Sequence, residues 1–425
     1  MTVSGFSSPQ SAWAAYATVP AVIAGYPLLE ALKTCRTQAM SREPGHGRAP
    51  FNSIAHSTQL WTHRDRDFVT PTNDLLYSNA WADLRHGPVT LDIPAATRFF
   101  VIELLDVYTN NFLNLGTRNV PAAGARYTLV GPGGKANGPN VIRCPSSLVW
   151  LLGRVLVNDE ADLPAALAMQ SGIRLAGPKI DMPSRSLTDW QDSGDAAIDF
   201  FANLSRALAD FPPPDSQRAP FDLLAAAHIH LSPDGSLPPL RRTTVEGLQN
   251  AYAAGMAMID GHTRSASRAP WRYSNRLGRF GNDYMLRAAT ALKGIAALSA
   301  DEAIYATADY DQQGEPLHGS HMYRIRFVDG GDLPADAFWS ISLYGEDRFF
   351  VDNPLGRHAL GSRSKLGQDA DGALTIYVSH REPPGPSANW LPAPDAPFYL
   401  ILRLYHPQKR LLRGSYQFPA VERQA

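Results

Sequence analysis

Two periodicities alternate along the 425 residues. Apolar positions three and four apart run from Ala12 to about Lys33, around Pro20, and return at Asp162 to Gln170, Ala196 to Asp210 and Thr243 to Gly261, the spacing of helices that bury one face. Between and after them, β-branched and aromatic runs bounded by Gly, Pro, Asn and Asp occupy 86–93, 99–105, 127–130 and 147–157, then 323–327, 338–344, 374–378 and 398–405. The clearest helix signal is Asn282 as a cap followed by Met285, Leu286, Ala289, Leu292 and Ile295 on one side, ending near Leu298. The polar stretch Ser41 to Pro50 and the Pro-rich stretches Phe211 to Asp215 and Ser232 to Pro239 read as loops. The pattern predicts an α+β, β-rich chain of two antiparallel β-sandwich or jelly-roll-like domains joined by helices. Its parts are an N-terminal helical segment at 1–50, a first sandwich at 51–160, a helical connector at 161–265 and a second, jelly-roll-like domain at 266–425.

Composition supports many short strands: 8 Trp, 16 Tyr and 17 Phe accompany 33 Gly and 34 Pro. Charge narrows the partners. With 39 Lys plus Arg against 40 Asp plus Glu, no global field draws nucleic acid or acidic lipid, so neither nucleic acid nor membrane is expected. Cys35 and Cys144 match no metal or redox spacing and are expected as reduced thiols. The first ten residues carry no basic run, and Pro20, Gly25 and Pro27 interrupt the apolar stretch from Ala12 to Leu32. Neither a secretory signal nor a membrane span is expected, and the location expected is cytoplasmic.

No Gly-x-Ser-x-Gly elbow, Walker A loop, dinucleotide fingerprint or His-Glu-x-x-His helix occurs, which disfavours several common enzyme classes. Polar and aromatic groups at strand ends supply other candidates. Asn73, Asp74 and Tyr77 lead into one strand, and Asp106, Tyr108 and Asn110 follow another; an Asp beside a Tyr could serve as base and acid if burial raised the Asp pKa. Turn capping by Asn and Asp and corner tying by Tyr are the structural alternatives. A second group joins Tyr284 and Arg287, three apart on the capped helix, to Tyr323, Arg324, Trp339 and Tyr344, an Arg fork among rings that would suit an organic anion. Its alternative is an Arg paired with Asp283 or Asp311. Near the C-terminus Trp390 sits on a Pro-stiffened loop, and Arg403 and Tyr405 share a strand face by their spacing of two. Asp74, Asp106, Tyr108 and Tyr284 are thus candidate catalytic groups; Asn73, Tyr77, Asn110, Arg287, Tyr323, Trp339, Trp390 and Arg403 are candidate substrate contacts. His228 with His230, and His318 with His321, are paired without a third ligand at metal spacing, so no metal or cofactor is expected.

Longer blocks carry a resemblance. TPTNDLLYSNAWADL from Thr70, GPVTLDIP from Gly87, FFVIELLDVYTNNFLNLGTR from Phe99 and YTLVGPGG from Tyr127 resemble the first domain of a bacterial two-domain family of unknown function, numbered 1254 and 1214. GRFGNDYMLRAATA from Gly278, the run from Ala303 to Phe327, FWSISLY from Phe338 and NWLPAPDAPFYLILRLYHP from Asn389 resemble the second. The resemblance spans about residues 20–420 and implies an immunoglobulin-like or related sandwich followed by a jelly-roll-like sheet with helices. It implies no reaction. Many relatives begin with an export signal, which this chain does not show. The function expected is a small-molecule hydrolase or lyase with carboxylate and Tyr acid–base groups and an Arg anion anchor in a cleft, acting on an anionic or aromatic substrate. The alternative is a non-catalytic carbohydrate-, lipid- or protein-binding β-sandwich protein; homo-oligomerisation is left open.

Overall fold

The computed structural model describes residues 5–41, 47–66, 69–229, 236–263, 269–384 and 386–424. Its helices are α1 (Pro9–Ala39), α2 (Leu163–Ser171), α3 (Arg185–Thr188), α4 (Ala196–Asp210), α5 (Ala219–Ala226), α6 (Arg242–Thr263), α7 (Tyr284–Gly294) and α8 (Lys409–Leu412). The first nine strands are β1 (Ile54–His56), β2 (Leu75–Asp83), β3 (Val89–Ile93), β4 (Phe100–Asp106), β5 (Asn111–Gly116), β6 (Ala125–Val130), β7 (Val141–Arg143), β8 (Leu148–Leu156) and β9 (Arg174–Ala176). The last eight are β10 (Ala303–Ala308), β11 (Tyr323–Phe327), β12 (Ala335–Gly345), β13 (Ala359–Gly361), β14 (Leu374–Ser379), β15 (Trp390–Pro392), β16 (Phe398–Pro407) and β17 (Val421–Arg423).

Helix α1 corrects the expectation that Pro20 and Pro27 interrupt the N-terminal apolar stretch. It is one helix of 31 residues with both prolines inside it, opened by Ser8, whose side chain accepts from the Ser11 amide. Each proline removes one backbone hydrogen bond and crowds the preceding turn. Burial offsets that cost: Ala21, Val22, Ala24, Leu28, Ala31 and Leu32 are all sealed in the main core. The helix is long and apolar enough to cross a membrane, yet 72% of its most apolar window is buried inside the protein, where it forms the axis of a layer with α4, α5, α6 and α7. Contact with α6 depends on small residues. A Cβ on Gly247 would lie 2.5 Å from Ala14 Cβ, and one on Gly255 would lie 2.6 Å from Val22 Cγ1.

The first sandwich packs the sheet β1-β2-β8-β4-β5 on the sheet β7-β6-β3-β9; the second packs β10-β16-β12-β13 on β15-β14-β11-β17. Pairing is antiparallel except for β6 with β7 and β14 with β15. The protein is therefore α+β and β-rich, two β-sandwiches joined by helices. Strand β9 adds a fourth strand to the second sheet of the first sandwich by pairing with β3, so that unit reaches Ala176, past the expected limit of 160, within a stretch read as helical connector. Helix α7 is capped by Asp283, which accepts from the Leu286 amide, rather than by Asn282, and it ends at Gly294 rather than near Leu298. His230 and parts of the loops at 41–50 and 232–239 lie outside the described residues.

All nine residues of β2 and of β8 are buried, because their sheet is covered on both sides. Leu76, Ala80, Val149, Leu151 and Val155 face the second sheet of their own sandwich. Tyr77, Trp81, Trp150 and Leu152 point the other way, into the helices. Trp81 and Trp150 are cross-strand partners stacked 5.0 Å apart, and the side chain of Gln38 on α1 accepts from Trp81 Nε1 and from Asn79 Nδ2, tying α1 to the sheet. Where that face leaves the helices, Leu75, Val101 and Leu156 meet Ala303, Phe338 and Tyr405 of the second sandwich, with Phe99 wedged against both rings. Filling the α1–α6 contact by Gly247→Leu is expected to destabilise the fold by about 1–3 kcal/mol, read as a lower midpoint in urea denaturation followed by circular dichroism.

Candidate functional site

A cavity of about 500 Å³ lies where α7, the first sandwich and the second sandwich meet, a volume in the range of small-molecule sites. Each sandwich supplies to it a directly paired Tyr and Arg. Tyr77 on β2 is the cross-strand partner of Arg154 on β8, and Tyr305 on β10 is the partner of Arg403 on β16. Each guanidinium carbon sits 5.8 Å from the ring centre of its partner. The spacing of two that put Arg403 and Tyr405 on one face holds, and both line the cavity with Ile401. Helix α7 contributes Leu286, Ala289, Thr290 and Lys293, while Trp271 and Tyr273 add aromatic surface from the segment before it.

The two arginines are held differently. Arg154 donates from Nη1 to Glu103 Oε2 at 2.8 Å and from Nη2 to the Ala296 carbonyl at 2.9 Å, an ion pair in which Glu103 is fully buried. Burial, only partly opposed by Arg154, pushes the Glu103 carboxyl up to about 7, and its Oε1 has no hydrogen-bond partner among the described residues. Arg403, 3% exposed, donates to Ser342 Oγ at 3.1 Å and to the Thr70 carbonyl at 2.8 Å. Among the described residues it has no carboxylate within 4.0 Å. Lys293 pairs with Asp309 at 3.3 Å, and Arg272, also on the wall, pairs with the other oxygen of Asp309. Burial pushes the Lys293 ammonium down and the Tyr305 hydroxyl up to about 12.

Of the candidates read from sequence, Tyr77 and Arg403 reach the cavity wall. Asp74 stands one hydroxyl away: Thr72, which lines the cavity, donates from Oγ1 to Asp74 Oδ2 at 2.9 Å, and burial raises the Asp74 pKa. Asn73 donates to the Trp61 carbonyl. The expected grouping of Tyr284 and Arg287 with Tyr323, Arg324 and Trp339 does not form. Strand alternation turns Tyr323 and Trp339 into the core of the second sandwich, where Tyr323 Oη accepts from the His318 amide and Trp339 Nε1 donates to the Gly331 carbonyl. Arg324 is exposed and paired with Glu422.

Arg287 instead approaches Asp106 and Tyr108, with Phe280 and Tyr284 over its guanidinium. It donates to Gln217 and to the Gly281 carbonyl, while Asp283 and Asp311, the partners of the structural alternative, take no salt bridge from it among the described residues. Within that group Asp106 accepts from the Asn110 amide and side chain, closing a turn, and Tyr108 donates to the Phe211 carbonyl at 2.6 Å. Trp390 donates to the Ser379 carbonyl on the edge of the second sandwich. Among the described residues no group of three or more His, Cys, Asp or Glu is placed to hold a metal ion.

Sequence reasoning missed Arg154, Glu103, Tyr305 and Lys293. A signal was present for the first two, since each is a lone ionisable residue inside an apolar strand run, where burial demands a partner.

A family model described as a protein of unknown function (DUF1254) matches residues 51–177, and a second described in the same words (DUF1214) matches residues 302–409. No curated protein matches the chain. Among solved structures, the VPA0106 protein from Vibrio parahaemolyticus is 22% identical, with 97% of this chain and all of that one covered at a TM-score of 0.70, a likeness of fold. An uncharacterized protein from Burkholderia cenocepacia is 12% identical, with 96% of each chain covered at a TM-score of 0.44.

Arg154→Met is expected to cost about 3–5 kcal/mol of stability by stranding the buried Glu103. In the double variant Glu103→Gln, Arg154→Met most of that loss should return, a comparison made by urea denaturation of the wild type and all three variants at pH 8.

Proposed function

Since the chain belongs to the two-domain family that joins these two domains of unknown function, we propose that the cavity at their junction is the substrate site of a small-molecule enzyme, of hydrolase or lyase type, acting on an organic anion. The observation that carries this reading is Arg403, a buried guanidinium on the wall without a carboxylate partner. A buried positive charge held by a hydroxyl, a carbonyl and the Tyr305 and Tyr344 rings, with no carboxylate within 4.0 Å among the described residues, is costly, and an incoming carboxylate, sulfonate or phosphate would offset that cost through a bidentate contact. Apolar lining from Leu277, Leu286, Ile295 and Ile401, with Trp271 and Tyr273, suits a flat or apolar body attached to the anionic group.

The chemistry available to such a substrate is proton transfer. Asp74, raised by burial and one Thr72 hydroxyl from the cavity, is positioned to act as the base, while Tyr305 keeps its proton at neutral pH and can donate a hydrogen bond to a developing oxyanion. In a hydrolase the Thr72 hydroxyl would take the proton from a water, and in a lyase from carbon, as its own proton passes to Asp74. Titrating aromatic and aliphatic carboxylates and phosphate esters by calorimetry should find a ligand whose affinity drops by about 30-fold or more in Arg403→Gln. Product formation from that ligand, followed by proton NMR, is expected in the wild type and lost in Asp74→Asn with binding retained. Binding without conversion would favour the non-catalytic alternative, and failure of every anion to bind would remove the proposal.

A further inference from the structure

Arg154 and Arg403 come from different sandwiches but line the same cavity, and the Tyr77 and Tyr305 hydroxyls lie in the electrostatic field of both. Only Arg154 is already engaged by a carboxylate, and that carboxylate is an unusual keeper. Glu103 lies at the middle of β4, fully buried, with one oxygen on Arg154 and the other without a hydrogen-bond partner. Nη2 of Arg154 is on the Ala296 carbonyl, and Ala296 itself is part of the cavity wall.

Resting on the reading of the cavity as an anion site, we propose that Arg154 is its second anion-binding group and that Glu103 takes up one proton from solvent as the ligand engages that guanidinium, so that the site prefers a dianion and binds it together with a proton. The step balances simply: the proton goes to the Glu103 carboxylate, and the negative charge opposite Arg154 passes from Glu103 to the ligand.

Charge on the wall supports this. Four cations, Arg154, Arg403, Lys293 and Arg272, line the cavity, and the carboxylates set against them are Glu103, Asp309 and, in the field of Arg403, Asp74. Protonating Glu103 leaves two positive charges uncompensated, the complement of a dianion. Around Glu103, burial and the Glu302 carboxylate favour proton uptake, while Arg154 and the Asn111 side chain hold the carboxylate form until a ligand anion engages the guanidinium. From β8 Glu103 meets Arg154; across the junction it meets Tyr305 on β10 and the carboxylate of Glu302, which is itself held by Arg118 and His406; from β5 it meets only the neutral side chain of Asn111. Burial already brings the carboxyl close to neutrality, and a second anion beside it raises it further. Since the free-state pKa is about 7 and the bound-state value is higher, affinity is greatest below pH 7 and falls as pH rises through that range.

Two probe pairs separate the possibilities: isophthalate with benzoate, and glutarate with butyrate, titrated by calorimetry into the full chain at pH 6 to 8.5 in buffers of different ionisation enthalpy. The dicarboxylates should bind at least about tenfold more tightly than their monocarboxylate partners at pH 6, weaken about tenfold between pH 6 and 8, and take up close to one proton near pH 8. Glu103→Gln, checked for folding by circular dichroism, should abolish both the uptake and the pH dependence for the dicarboxylate. Because uptake is read on the wild type, a poorly folding variant leaves the test intact. Arg403-dependent binding of both members of a pair with equal affinity and no proton uptake would overturn this inference while leaving the anion site standing. Absence of binding by all four would overturn both.

Discussion

The two central sheets are each covered on both faces, and this constraint organises the molecule. One face of each is sealed by the partner sheet of its own sandwich; the other is sealed by the helices and, at the junction, by the opposite domain. A polar side chain on that second face has no water to turn to and must find its partners within the protein. Asn79, Glu103 and Arg154 do so on the first sheet, and Ser342 and Arg403 on the second. The cavity lies where Arg154 of the first sheet and Arg403 of the second both reach the junction.

Sequence periodicity made the architecture largely legible, and the reason is local. Strands such as β11 and β16 carry β-branched and aromatic residues between turn-forming neighbours, and α4 and α6 bury one stripe, so their patterns declare them without tertiary information. Helix α1 was read as helical from Ala12 to about Lys33, and what was missed is its continuity through Pro20 and Pro27, where local rules are weakest. Two prolines argue against a helix until the surrounding layer is known to pack all round it.

The site was legible only in fragments, because what assembles it is contact between residues far apart in the chain. Tyr77 and Arg403 could be suspected singly from their strand positions, but their meeting depends on how two sandwiches dock, which no spacing encodes. Tyr323 and Trp339 were grouped with Arg287 by proximity in sequence and chemistry, whereas alternation along β11 and β12 sends them into a separate core. Asp106 and Tyr108, read as one group, and Arg287, read as part of another, instead meet beside α7. The family match extends the fold to relatives without adding a reaction, since chemistry resides in the side chains a fold presents and not in the fold.

The cross-strand Tyr–Arg pairs have a consequence for how such a chain can change over time. Each sandwich owns a complete hydrophobic centre, yet each contributes only one of the two cross-strand Tyr–Arg pairs that face the junction. Splitting the gene between them would leave two packed remnants and no pocket. The shared wall therefore couples the two modules, since the surface each half presents to the pocket is completed by residues that belong to the other.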